Sequence, residues 1–278
     1  MNTTSAPPTA HSAPHPAQHA PGPYAVAPVL SARRLAKTYG SQGAQTRALD
    51  GVDLELHRAD SLAIMGPSGC GKTTLLHTLA GILRPTSGAV RYDGTDLASL
   101  RDGDRTRLRR SDFGFVFQDG QLLPELTALE NVVLPRMLGG TGRRAASREA
   151  EHWLDRLGLQ GMHGRRPGQL SGGQAQRVAI ARALAGGPSV VFADEPTGAL
   201  DQATGQSVLQ VLAEACRDSG AALVMVTHDA QVAQACRRTV AMRDGRIVQE
   251  FQRRTPEAAP STPAPTRPAS TTVPGGAR

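Results

Sequence analysis

The sequence predicts an α/β fold: a mixed sheet with flanking helices, preceded by an antiparallel β region and interrupted by a helical insert. Three observations carry this. A short apolar run, Leu62 to Met65, leads through a glycine-rich loop into a stretch with Leu75, Leu76, Leu79 and Ile82 at helical spacing. Two apolar runs, Val190 to Ala193 and Ala221 to Thr227, read as strands buried on both faces, as parallel sheets require. Period-two alternation and Asp-Gly turns near both ends mark antiparallel pairs.

The elements follow in order. Residues 52–56, "VDLEL", alternate apolar and polar, and 88–94, "GAVRYDG", end in an Asp-Gly turn. The strand at 62–65 runs into the loop and then a helix over 74–83. A further strand, "FGFVF" at 113–117, ends in Gln118. The insert covers about 119–184. Thr127-Ala128-Leu129-Glu130 is a capping box that starts one helix. A second helix over 148–157 stops at Gly158. It carries Trp153, the one tryptophan, which fits core packing. A third starts at Ser171. Strands at 190–193 and 221–227 follow, and "RTVAMRDGRIVQEF" closes the core as a hairpin.

Bulk properties narrow the function. The chain has 278 residues and is 39% hydrophobic, enough for one large α/β domain. Residues 1–28 and 253–278 are rich in Pro, Ala, Ser and Thr, without apolar periodicity, and are expected to be disordered tails. His11, His15 and His19 in the first tail are metal candidates; scattered histidine in a polar tail is the plainer reading. No run of 18 apolar residues exists, so no bilayer span is expected. The N-terminus has neither a basic n-region nor an apolar h-region, so no secretory signal is expected. Cys70, Cys216 and Cys236 fit neither a zinc site nor a disulfide framework, and a reducing cytoplasm suits them. The formal charge of +7 includes "RDGDRTRLRR" at 101–110. No aromatic-interleaved or helix-turn-helix pattern accompanies it, so direct nucleic-acid binding is not expected and a solvated surface is.

Nearly all of the positive charge is arginine. The two lysines are Lys37 and Lys72. A lysine kept in such a chain marks a place that needs a compact ammonium rather than a planar fork. Lys72 stands in Gly66, Pro67, Ser68, Gly69, Cys70, Gly71, Lys72, Thr73, followed by Thr74. This is G-x-x-x-x-G-K-[ST] between a strand and a helix, the P-loop context. Its backbone N–H groups would turn inward onto phosphate oxygens, helped by the positive end of the helix. Lys72 would reach the β- and γ-phosphates, and Thr73 would ligate Mg²⁺. Cys70, close to that helix start, is expected to be a reactive thiol.

The partner acids stand at "VVFADE". Asp194 and Glu195 end a buried strand, where open α/β sheets place their ligands. Asp194 would hold the Mg²⁺ hydration shell, and Glu195 would act as general base on the attacking water. The plainer reading, two acids solvating a strand end, weakens because the next strand ends in His228, placed to contact a γ-phosphate and orient water. Gln118, at the end of a third strand, would touch metal and water through its amide.

The set "GPSGCGKTT", Gln118, "LSGGQ", "VVFADE", "GALD" and His228, in this order, resembles the ATP-binding subunit of ABC transporters over about residues 28–252. The resemblance implies a P-loop NTPase core, residues 29–252, whose helical insert carries the LSGGQ signature. Ser171, Gly172, Gly173 and Gln174 would bind the γ-phosphate held by a second copy, or by a homologous subunit, so that two chains enclose two ATP molecules. Tyr39 matches the aromatic that stacks on adenine. Asp201 matches the loop that meets the partner's P-loop. Gln118 matches the lever toward the membrane subunit. ATP and Mg²⁺ are the implied ligands, and the implied place is the cytoplasmic face of the plasma (inner) membrane, docked on a separate permease chain. The wording of 114–135 and of "DEPTGALD" is similar to the lipoprotein-release, macrolide-efflux and antimicrobial-peptide-resistance subgroup. The alternative is a soluble ABC-type ATPase acting on nucleic acid or ribosomes. The insert has no long heptad repeat and the chain has one cassette, and both count against it.

Overall fold

Alternating burial builds the first layer. The computed structural model describes residues 27–40 and 44–253. Strands β1 (Leu30–Tyr39) and β2 (Thr46–Leu56) pair antiparallel, and Val52, Leu54 and Leu56 face inward at every second position. Strand β3 (Ser61–Met65) then begins the second sheet and leads through the glycine loop into α1 (Lys72–Leu79). Strands β4 (Ser87–Tyr92) and β5 (Thr95–Asp96) return to the first sheet, whose order is β2-β1-β4-β5. Helix α1 ends earlier than its apolar spacing suggests. Gly81 takes a left-handed φ of 63°, which stops the helix, and Ile82 is left exposed.

Helix α2 (Asp102–Ser111) carries the basic stretch and precedes β6 (Phe113–Phe117). The insert follows. Helix α3 (Ala128–Leu138) starts on the Thr127–Glu130 capping box, with both reciprocal bonds formed. Helix α4 (Arg143–Arg156) opens at Gly142, earlier than the 148 expected, and Gly158 turns the chain after it with φ 75°. Helix α5 (Gly172–Leu184) begins at Ser171. The remaining elements are β7 (Val190–Asp194), α6 (Gln202–Ser219), β8 (Ala222–Thr227), α7 (Ala230–Ala233), β9 (Arg238–Arg243) and β10 (Arg246–Gln252). The expected tails at 1–28 and 253–278, with the three histidines, lie almost wholly outside the described residues.

The second sheet has the order β10-β9-β3-β8-β7-β6. Strands β9, β3, β8, β7 and β6 run parallel, and β10 pairs antiparallel with β9. Period two divides each central strand between two cores. Leu62, Ile64, Val190, Phe192, Val224 and Val226 pack with Leu75, Leu76 and Leu79 of α1 and with the first sheet. Ala63, Val191, Ala193, Leu223 and Met225 face the other way, onto α5, α6 and the insert, where Trp153 is buried. Helix α1 is thus held between the two sheets. Among the described residues no helix is long and apolar enough to cross a membrane.

Candidate active site

The strand parity that builds the core also aims the site. Val190 and Phe192 lie on the α1 side of β7, so Asp194, two residues on, falls on that side as well. Helix α1 starts there, and Thr73 Oγ1 donates to Asp194 Oδ1 at 3.3 Å across 121 residues of sequence. Burial pushes the Asp194 carboxyl above its ordinary range, while His77 and the Thr73 hydroxyl pull it back. His77 escaped the reading of the sequence. Its signal was there: one helical turn past Thr73 on the same face of α1.

The glycine loop is shaped by what surrounds it. Gly71 sits at φ 103°, and a Cβ on it would overlap the carbonyl oxygen of Ala48 in β2. The loop is anchored by Gly245 N, which donates to Cys70 O at 3.0 Å. Pro67, Ser68, Gly69 and Thr73 are exposed, Gly66, Gly71 and Thr74 half-buried. Lys72 is buried, and its Nζ donates to Gly66 O and Pro67 O at 2.9 Å each. The ammonium is therefore held on the concave side of its own loop by neutral acceptors. Cys70 corrects an expectation. It is 6% exposed and packs in the core around α1, so it is no accessible thiol despite its place beside the helix start.

Glu195 follows Asp194 with φ 44°, a left-handed conformation strained for a residue with a side chain. Its N–H donates to Val226 O at 3.0 Å, and its carbonyl accepts from Gly198 N. This turn takes Glu195 off the strand's alternation and sets its Oε1 3.2 Å from His228 Nδ1 at the end of β8. Gln118 reaches the same turn: a Cβ on Gly198 would lie 2.9 Å from Gln118 Nε2. A cavity of about 340 Å³ beside Glu195 and His228 is also lined by Asp201, which caps α6 by accepting from Thr204 N at 3.0 Å. Hydrogen bonds from Thr204 hold the Asp201 carboxyl below its ordinary range.

The remaining candidates stand apart from this cluster. Ser171 caps α5 and Gln174 completes the capping box, accepting from Ser171 N through Oε1 at 3.0 Å. Ser171 and Gly172 are exposed. The neighbours of Gly172 and Gly173 are Leu200 and Thr204, not the glycine loop. Gly173 is buried against α6, which gives it a packing reason beyond the open helix end read from sequence. Tyr39 ends β1 and is 40% exposed, with Lys37 Nζ 5.2 Å from its ring centroid.

The residues present fit a magnesium-bound nucleotide. A glycine-tight loop, a lysine held only by carbonyls and a hydroxyl–carboxylate pair of hard oxygen donors supply what a triphosphate and a small divalent cation need.

Residues 49–198 match the family model described as ABC transporter. A lipoprotein-releasing system ATP-binding protein, LolD, of Caulobacter vibrioides is 44% identical over 226 residues, covering 81% of this chain and 98% of that protein. A macrolide export ATP-binding/permease protein, MacB, of Rhodopseudomonas palustris is 46% identical over 239 residues, but this chain spans only 36% of it. A dimeric ATP-binding cassette solved in a post-hydrolysis state with ADP and phosphate superposes with a TM-score of 0.74 at 38% identity, covering 81% of this chain and 99% of that one.

Proposed function

The chain belongs to the ABC transporter family as an ATP-binding, ATP-hydrolysing subunit, and from that premise we propose how its residues divide the work. Residues 29–252 form the ATP-binding domain, with the insert at about 119–184. The loop from Gly66 to Thr74 cradles the triphosphate. Lys72 exchanges the carbonyls of Gly66 and Pro67 for phosphate oxygens, and Tyr39 offers its exposed ring to adenine. Thr73, Asp194 and Gln118 would hold Mg²⁺. Bound there, Mg²⁺ would neutralise charge on the β- and γ-phosphate oxygens. Glu195 accepts the proton of the attacking water, and His228, 3.2 Å away, orients that carboxylate and the water.

Ser171, Gly172, Gly173 and Gln174 serve the nucleotide of a second subunit. Ser171 and Gly172 are exposed at the helix end, and the neighbours of Gly172 and Gly173 come from Leu200 and α6 rather than from their own glycine loop, so the anion this end attracts belongs to another chain. Asp201 sits beside Glu195, where the partner's loop would arrive. Two chains then close around two ATP molecules. Phosphate loss removes the bridging charge and favours the open state. The separate membrane partner is a permease, and the place is the cytoplasmic face of the inner membrane. Relatives named for lipoprotein release and macrolide export support an efflux, extraction or mechanical role.

The observation that carries this reading is the Thr73–Asp194 contact, which joins the phosphate loop to the acid pair. The test is to purify a tagged Glu195→Gln chain from gently solubilised membranes with Mg-ATP. A membrane chain that co-purifies in the ATP-trapped form supports the reading. Ribosomal proteins or nucleic acid, with no membrane chain, overturn it.

A further inference from the structure

Lys37 is the other of the two lysines, and the phosphate site gives it no role. It lies half-buried on β1, two residues before Tyr39. Its Nζ donates to Arg84 O at 2.8 Å and stands 5.2 Å from the centroid of the Tyr39 ring. Among the described residues no carboxylate pairs with it. Its charge is therefore directed at one carbonyl and one aromatic face. A guanidinium is a plane with its donors fixed in a fork, whereas an ammonium on a flexible stem meets both groups from a single point.

The Arg84 carbonyl is itself placed by α1. That helix ends at Leu79, and the chain turns at Gly81. His77 O accepts from Ile82 N at 2.9 Å and from Leu83 N at 3.1 Å, which folds the segment 82–84 back onto the helix. Two further bonds join the following residues to β1. Thr38 N donates to Thr86 Oγ1 at 3.0 Å, and Thr86 N donates to Ala36 O at 2.8 Å. Lys37 carries the connection outward to the Tyr39 side chain. A continuous path thus runs from Lys72 and Thr73 at the start of α1, along the helix to His77, through 82–84 and the Lys37 ammonium, to the ring.

We propose that Lys37 is a positioning residue for the nucleotide base: its ammonium fixes the Tyr39 ring relative to the phosphate loop and, lying over one face, strengthens stacking of a purine on the other. The face of an aromatic ring is negative and attracts the ammonium. With a cation on one side, the opposite face repels the π-cloud of a purine less, so the two rings stack more favourably. The tether also acts before the nucleotide arrives. A tyrosine 40% exposed at a strand end would otherwise sample several rotamers, and ordering it would cost part of the binding free energy. Lys37 orders the ring in the free chain instead. The proposal rests on the reading of Tyr39 as the residue that stacks on adenine.

The test measures equilibrium binding of two probes to the full chain, Mg-ADP and Mg-pyrophosphate, of which the second has phosphates and no base. Lys37→Met keeps the length of the side chain and removes its charge and its donor. It should weaken Mg-ADP about three- to tenfold and leave Mg-pyrophosphate unchanged. Lys37→Gln, shorter and uncharged, should do the same, and it replaces the first variant if that chain does not fold. A double-mutant cycle assigns the effect to the ring: on a Tyr39→Ala background, Lys37→Met should weaken Mg-ADP no further. Unchanged Mg-ADP affinity, an equal loss for both probes, or a full additional loss on the Tyr39→Ala background overturns the proposal. If Tyr39→Ala itself leaves Mg-ADP binding unchanged, the reading of Tyr39 fails first and this proposal with it. If Tyr39→Ala weakens Mg-ADP and Lys37→Met does not, only the role of Lys37 fails.

Discussion

Thr204 Cγ2 on α6 stands 2.5 Å from the place a Cβ on Gly173 would occupy, so α5 and α6 meet with methyl against bare backbone. The next glycine along behaves differently, since a Cβ on Gly172 meets only the end of the flexible Leu200 side chain, at 3.0 Å.

Alanine scanning of the pair separates two roles. Gly173→Ala should lower the melting midpoint of the nucleotide-free chain. Overpacking of this kind costs about 1–3 kcal/mol, against a gain of roughly 1 kcal/mol in helix propensity. Gly172→Ala should leave the midpoint unchanged or raised and still reduce ATP turnover, because it narrows the helix end offered to the second subunit's nucleotide. Thermal scans alongside ATPase assays check both, and equal midpoints for the two variants would refute the packing role of Gly173.

Glu195 and His228 should separate binding from chemistry. Glu195→Gln is expected to reduce the turnover rate by about 10²–10⁴-fold while ATP still binds and the dimer persists. His228→Ala should reduce turnover less, since it removes the group that orients the base and leaves the base in place. Single-turnover rates with the chain in defined excess over ATP discriminate these outcomes, and a Glu195→Gln chain that still turns over at the normal rate would exclude Glu195 as the base.

The insert should respond to acid through Glu130. The Thr127 backbone N–H and hydroxyl hold the Glu130 carboxyl below its ordinary 4.5. A carboxylate lowered on folding stabilises the fold above its unfolded value, and that contribution is lost as pH falls through the folded value. The start of α3 should therefore loosen below about pH 4.5. Trp153 fluorescence reads the insert directly, since it is the one tryptophan. Glu130→Gln keeps an acceptor but does not titrate, so it should flatten the dependence on pH below about 4.5.

All three cysteines should resist alkylation in the folded chain. Burial pushes the Cys216 and Cys236 thiols up to about 12, so almost no thiolate exists at neutral pH. Cys70 is buried under the glycine loop and should react only when the loop opens, more slowly still with ATP bound. Mass spectrometry after brief treatment at pH 8 should find no label on the folded chain and three labels after denaturation. Rapid labelling of Cys70 in the folded chain would show that the loop opens freely.

Much of the site was legible because its parts are contiguous. A glycine loop between an apolar strand and an amphipathic helix, an acid pair after a β-branched run, and a serine-capped helix headed by glycines are each set by local backbone conformation. The ends of α1 and α4 were less legible. A left-handed Gly81 and an early start at Gly142 override apolar spacing, and neither disturbs the pattern that suggested the helices.

By itself the sequence determined the α/β class, the capping box at Thr127, the helix start at Ser171, the phosphate loop and the family, because each depends on short motifs whose residues lie within one or two turns of one another. Only the tertiary structure decided that Asp194 meets Thr73, that His77 joins them, that Thr204 fills the space over Gly173, that Cys70 is inaccessible, and that arginines from α2, α3 and α5 converge beside the aromatic residues of β6. These relations join residues far apart in the chain. Strand order and strand parity set them, and the free energy that selects one order is shared across both cores rather than written in any short stretch.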